Sequence, residues 1–267
     1  MAQPAVPAPS ESPGLEREDR REQMTIRSGA AAVSELDNPV WSAVAGPQRD
    51  LGTVTPLAAC FHPDVSPFGG FPAVPTDEHW RAMAGLLGGG GMVALTGAIG
   101  SPPTGWRLLR ELPGVQMVCE RLRPASTVVS SGQPPKETPV PLGGSDVADM
   151  LALAAEARPG PFLPRTVEFG GYVGVRREGR LVAMAGERLQ PPGYVEISAV
   201  ATDPGFRGQG LAELLVRTVA SSVVDRGAVP FLHAATDNAG AIRLYERLGF
   251  TRRRAVSFVV LEAPADR

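Results

Sequence analysis

The segment Tyr194 to Ala212, YVEISAVATDPGFRGQGLA, carries a strand directly into a glycine-rich turn that opens a helix. Val195, Ile197, Ala199 and Ala201 alternate with Glu196, Ser198, Val200 and Thr202, the period of two expected of a half-buried strand. Asp203 and Pro204 end the strand, and Gly205, Gly208 and Gly210 let the backbone turn tightly and approach a ligand. Leu211, Leu214, Leu215, Val219 and Val223 then lay an apolar stripe at helical spacing, which stops at Gly227. Free amides at the start of this helix, its dipole and Arg207 beside it predict a cradle for a pyrophosphate. Two familiar phosphate loops do not fit. No GxxxxGK followed by Ser or Thr occurs, and Glu213 stands where a dinucleotide fingerprint needs a small residue.

The string Arg207, Gly208, Gln209, Gly210, Leu211, Ala212 resembles the Q/RxxGxG/A signature of the GNAT N-acetyltransferase superfamily. Downstream, VPFLHAA (229–235) reads as a short buried strand. TDNAGAIRLYERLGF (236–250) follows as a loop, a helix of about three turns and a glycine stop. Asn238, Ala241, Tyr245, Gly249 and Phe250 fill the positions of the second cofactor motif of that superfamily. The resemblance covers roughly residues 138–262. It implies an α/β fold with a GNAT-type mixed central sheet flanked by helices, preceded by a second, divergent α/β domain.

The same resemblance implies an acetyl-CoA-dependent N-acyltransferase that moves the acetyl group directly to a primary amine, without a cysteine nucleophile. It places the pantetheine arm along Ala199 and Val200, the pyrophosphate on the amides of Arg207, Gly208, Gln209, Gly210, Leu211 and Ala212, and a cofactor contact at Asn238. Tyr245 is then the candidate acid for the departing thiolate, since a phenol with an ordinary pKa of ~10 is protonated near neutrality. A core role for its ring is the alternative. Glu196 is the candidate base, because a charge in an otherwise apolar strand is costly unless it faces a cavity. An orienting or surface role remains open for it, since it departs by two residues from the position of the base in some relatives. His233 reads as a hydrogen-bonded core residue, with catalysis as its alternative. A non-catalytic module that binds CoA or acyl-CoA, and a transferase using a longer acyl-CoA, are the competing functional readings.

The chain has 267 residues and a formal net charge of −2. That balance argues against nucleic acid or an anionic membrane as an obligatory partner, and the short run Arg252 to Arg254 reads as a solvated strand end. The expected partner is a small-molecule or peptide amine, with an oligomer possible. Cys60 and Cys119 lack metal-site spacing, as do His62 and His79, so no metal is expected and a reducing cytoplasm is the expected location. Composition divides the chain into a disordered tail (1–25), a divergent α/β domain (26–125), a Pro/Ser/Thr/Gly linker (126–137) and the acetyltransferase-like domain (138–267). In the first half, helices are expected at 39–45, 79–87 and 106–112, with strands at 54–61, 92–95 and 115–122.

Overall fold

The structure is a computed structural model that describes residues 34–124 and 137–265. The expected tail at 1–25 lies outside the described residues, as does the expected linker apart from Glu137. In chain order the elements are α1 (Pro39–Val44), β1 (Gly52–Val54), β2 (Ala59–Phe61), β3 (Gly69–Gly70), α2 (Asp77–Leu87), β4 (Met92–Thr96), β5 (Arg107–Val118) and β6 (Val140–Pro141). They continue with α3 (Val147–Ala157), β7 (Val173–Arg177), β8 (Arg180–Glu187), β9 (Tyr194–Thr202), α4 (Leu211–Asp225), β10 (Val229–Ala235), α5 (Ala239–Leu248) and β11 (Thr251–Glu262).

Strands β1, β2 and β3 form a small sheet, and the other eight form one mixed sheet in the order β4-β11-β5-β10-β9-β8-β7-β6. Only β9 and β10 are parallel neighbours; the helix α4 between them makes the crossover that a parallel pair requires. The period of 3.6 explains how the helices dock. Leu211, Leu215, Val219 and Val223 of α4 sit one above the other and pack on one face of the sheet, together with Ile242, Tyr245 and Leu248 of α5. The opposite face is covered by Met150, Leu153 and Ala154 of α3 and by Leu36, Val40, Val44, Phe61 and Phe68 from the first half of the chain. A third cluster joins Trp80 and Met83 of α2 to Val93, Leu95 and Leu261. Among the described residues no helix is long and apolar enough to cross a membrane.

Three expectations for the first half need correction. The expected boundary between 26–125 and 138–267 does not divide one sheet from another: β5 lies between β10 and β11 and hydrogen-bonds to both. Of residues 106–112, expected as a helix, Arg107 to Leu112 form the first half of β5 and pair with Phe258 to Glu262. The expected strand 54–61 is broken by a turn. Thr55 Oγ1 accepts from the amides of Leu57 and Ala58, and Pro56 has no amide to give a ladder.

Strand β9 also differs from simple alternation. Ala199 adopts φ +51, and the pairing with β8 shifts between Met184 and Gly186, so β9 carries a bulge. Val195 and Ile197 lie in the cluster under α4 and α5, whereas Ala199 and Ala201 lie in the cluster under α3. One extra residue therefore reverses the facing of the strand's second half.

Candidate active site

The bulge bends β9 away from β10. The two strands pair only where Tyr194 to Glu196 face Val229 to Phe231, so the ladder between them does not continue beyond Ile197. This seam runs from a closed end at Glu196 to an open end at Thr202, where the turn leading to α4 leaves the strand. A groove of about 550 Å³ lies at the open end, lined among others by Thr202, Arg207, Gly208, Gly210, Gly240 and Leu244.

The chemistry of the groove follows from how α4 starts. Its N-cap is Gly210 at φ +79, a conformation that suits glycine, and no side chain caps it. By contrast, Asn238 caps α5, its Oδ1 accepting from the amide of Ala241 at 3.1 Å. The first-turn amides of α4 thus keep their donors and the positive helix end for a ligand. Thr202 Oγ1, buried and without a hydrogen-bond partner, belongs to a residue that lines the same groove. Of the residues singled out from the sequence, Arg207, Gly208, Gly210, Leu211 and Ala212 line it. Gln209 Oε1 instead accepts from Arg177 Nη1 at 2.7 Å, and Arg177 stacks over Phe206 at 5.2 Å.

At the closed end a largely buried polar chain crosses four strands, β9, β10, β5 and β11. Glu196 is fully buried, accepts from Arg188 Nε at 2.8 Å and Nη2 at 2.6 Å, and meets His233 Nδ1 at 2.7 Å. Burial alone would raise its carboxyl, but the Arg188 guanidinium and then His233 outweigh that cost and hold it at about 2. Arg188 is itself largely covered, with 11% of its side chain exposed, and lies over the Phe68 ring at 4.8 Å. On the far side of His233, Arg253 Nη1 donates to Gln116 Oε1 at 2.8 Å, which fixes the orientation of that amide. The Gln116 nitrogen donates to Leu36 O at 2.9 Å and faces His233 Nε2 at 3.2 Å. With a donor there, Nε2 accepts, and the ring proton sits on Nδ1 toward Glu196.

Tyr245 lies on the other face of the sheet, in the cluster with Ile197, Val200, Leu232 and Ala234. Burial pushes its phenol up to about 12, so it holds its proton at neutral pH. The sheet therefore separates Tyr245 from Glu196, and Glu196 has both oxygens committed and no face open to an incoming ammonium.

A solved GNAT-family structure from Novosphingobium aromaticivorans superposes with a TM-score of 0.74 at 38% identity, covering 88% of this chain and 100% of that one. This chain belongs to the GNAT superfamily. The family model described as FR47-like protein matches residues 172–259, from β7 into β11. The N-alpha-acetyltransferase RimI of Mycobacterium tuberculosis is 39% identical over 84 residues, 30% of this chain and 52% of that protein. A mycothiol acetyltransferase of Thermomonospora curvata is 36% identical over 77 residues, 28% of this chain and 26% of that protein. The match thus spans about half the length of the first relative and about a quarter of the second.

Within this GNAT fold, sequence reasoning missed Arg188, Gln116 and Tyr172. Tyr172 crosses Gly186 so closely that a Cβ there would overlap its ring, and its buried hydroxyl has no hydrogen-bond partner. A charge at Arg188, eight residues from Glu196 across a turn, was the one available sequence signal. Gln116 lies 117 residues from His233, so nothing local announces it.

Proposed function

We propose that the chain is an N-acetyltransferase that transfers the acetyl group of acetyl-CoA to a primary amine of a small molecule or peptide. The observation that carries this reading is the uncapped N-terminus of α4, facing a groove at the open end of a splayed parallel strand pair. The residues present fit acetyl-CoA. The amides of Arg207 to Ala212 would hold its pyrophosphate, and the backbone of Ala199 and Val200, turned aside by the bulge, would pair with the pantetheine arm. Acetyl-CoA supplies the acyl group as an activated thioester.

The chain's own residues then have distinct tasks. Backbone amides on β9 beyond the last pairing with β10 are donors for charge developing on an acyl oxygen. Tyr245, protonated because it is buried, is the proton donor to the leaving thiolate. Glu196 orients His233 and holds Arg188 instead of taking a proton itself. The polar chain thereby has a supporting role at the closed end of the seam. Relatives named as an N-alpha-acetyltransferase and as mycothiol acetyltransferases support acetyl transfer as the chemistry. Cys60 and Cys119, both free and buried, are compatible with a reducing cytoplasm.

The test is thiol release from acetyl-CoA across a panel of primary amines and peptides with free N-termini. Tyr245→Phe should lower turnover by ~10²- to 10⁴-fold and leave acetyl-CoA affinity nearly unchanged. Undiminished turnover in that variant would remove Tyr245 from the mechanism, and failure of every amine to stimulate thiol release would count against the acceptor class.

A further inference from the structure

A second groove, of about 600 Å³, lies where α5 ends and β11 begins, and its lining includes Arg123, Arg243, Arg247 and Arg252 with Glu246 as the one carboxylate. The chain as a whole is slightly acidic, so four guanidinium groups on one groove are not its average surface. Their pairing is incomplete. Arg252 reaches Glu246 at 3.1 Å, and Arg247 reaches Glu213 only at 3.8 Å. Among the described residues, the side chains of Arg123 and Arg243 have no carboxylate within ion-pair distance. Four cations facing one carboxylate repel one another, and an anion placed among them would relieve that repulsion.

The position of the groove indicates which anion. Arg247 lines both this groove and the one at the α4 N-terminus, so the two adjoin at its side chain on the last turn of α5. We propose that this groove binds the 3′-phosphate of CoA. The proposal rests on the cofactor reading above, in which the pyrophosphate occupies the first groove. A phosphomonoester carries about −1.5 to −2 charges at neutral pH and three acceptor oxygens, which suits several guanidinium groups better than the singly charged carboxylate of a peptide. Arg247 then bridges the two phosphate sites, while Arg123, Arg243 and Arg252 are specific to the second. Because these groups are exposed, their contribution depends on ionic strength.

The test compares CoA with 3′-dephospho-CoA by calorimetric titration of the whole chain. The wild type should bind CoA about tenfold more tightly than 3′-dephospho-CoA at low salt, the scale of one or two charge-assisted hydrogen bonds. That ratio should shrink as salt is added. Arg243→Gln and Arg252→Gln, both exposed positions, should bring the ratio toward one by weakening CoA alone, whereas Arg247→Gln should weaken both ligands. Equal affinity for the two ligands in the wild type would overturn the proposal, as would a ratio unmoved by Arg243→Gln and Arg252→Gln together. Absence of binding by either ligand would overturn the cofactor reading and this proposal with it.

Discussion

At Glu196 burial and pairing act in opposite directions, and pairing prevails. A carboxyl of ordinary pKa ~4.3 that is held at about 2 in the folded chain stabilises the fold by about 3 kcal/mol where it is ionised in both states. Because the folded value is depressed, that contribution is complete above the ordinary value and is lost as pH falls through the folded one. Glu196→Gln also leaves Arg188 buried with its charge uncompensated, at a cost of ~3 to 5 kcal/mol at pH 7. Urea unfolding of wild type and variant at pH 7 and near pH 3 should show a gap that narrows in acid; a gap independent of pH would contradict the pairing. The sequence marks Glu196 through its charge in an apolar strand, yet its partners are set by the fold. Arg188 comes from the turn after β8 and His233 from the next strand over, and the Gln116 amide that fixes the ring's tautomer comes from β5. Residue identity announced a special position, and only the sheet order disclosed that the carboxylate is already spent.

Elements with a strong local signature were legible. The stripes of α4 and α5 and the turn between β7 and β8 could be placed from spacing alone, as could the end of α5 at Gly249. Two elements were not, for different reasons. Leu108, Leu109 and Leu112 sit at spacings a helix would also use, and the partner that makes them a strand lies about 150 residues away in β11. The bulge at Ala199 leaves no mark because alanine rarely takes a positive φ, so alternation was extended through a residue that breaks it. The position of β5 has a direct consequence. A chain beginning at residue 138 would lose β4 and β5, leaving β11 without either partner and β10 with three paired residues on β9. Such a fragment should be insoluble or lack a cooperative thermal transition by circular dichroism. A soluble fragment that melts cooperatively would show that the second half folds alone.

At the scale of the molecule, the two halves of the chain share one sheet and its apolar clusters, so the first half is a structural component of the GNAT fold. It also builds the closed end of the seam: Gln116 of β5 touches His233, and Phe68 lies under Arg188. A composition change at 126–137 suggested two cores, but composition reports where the chain is polar and proline-rich, and strand order is decided by long-range pairing. What was legible at this scale was the open end of the seam, because the glycine turn, the helix it opens and the capped α5 are all local. The closed end was not, because it is assembled from β5, β9, β10 and the segment near Phe68. The central claim, that the groove at the start of α4 holds acetyl-CoA, is tested most directly by titrating the whole chain with acetyl-CoA in a calorimeter, alongside Gly210→Val. Valine at φ +79 is strained and brings a branched side chain to the phosphate approach. Saturable binding near one equivalent is expected for the wild type, with loss of that binding in a variant whose circular dichroism is unchanged. An isotherm without heat for the wild type, or a folded Gly210→Val that binds as tightly, would contradict it.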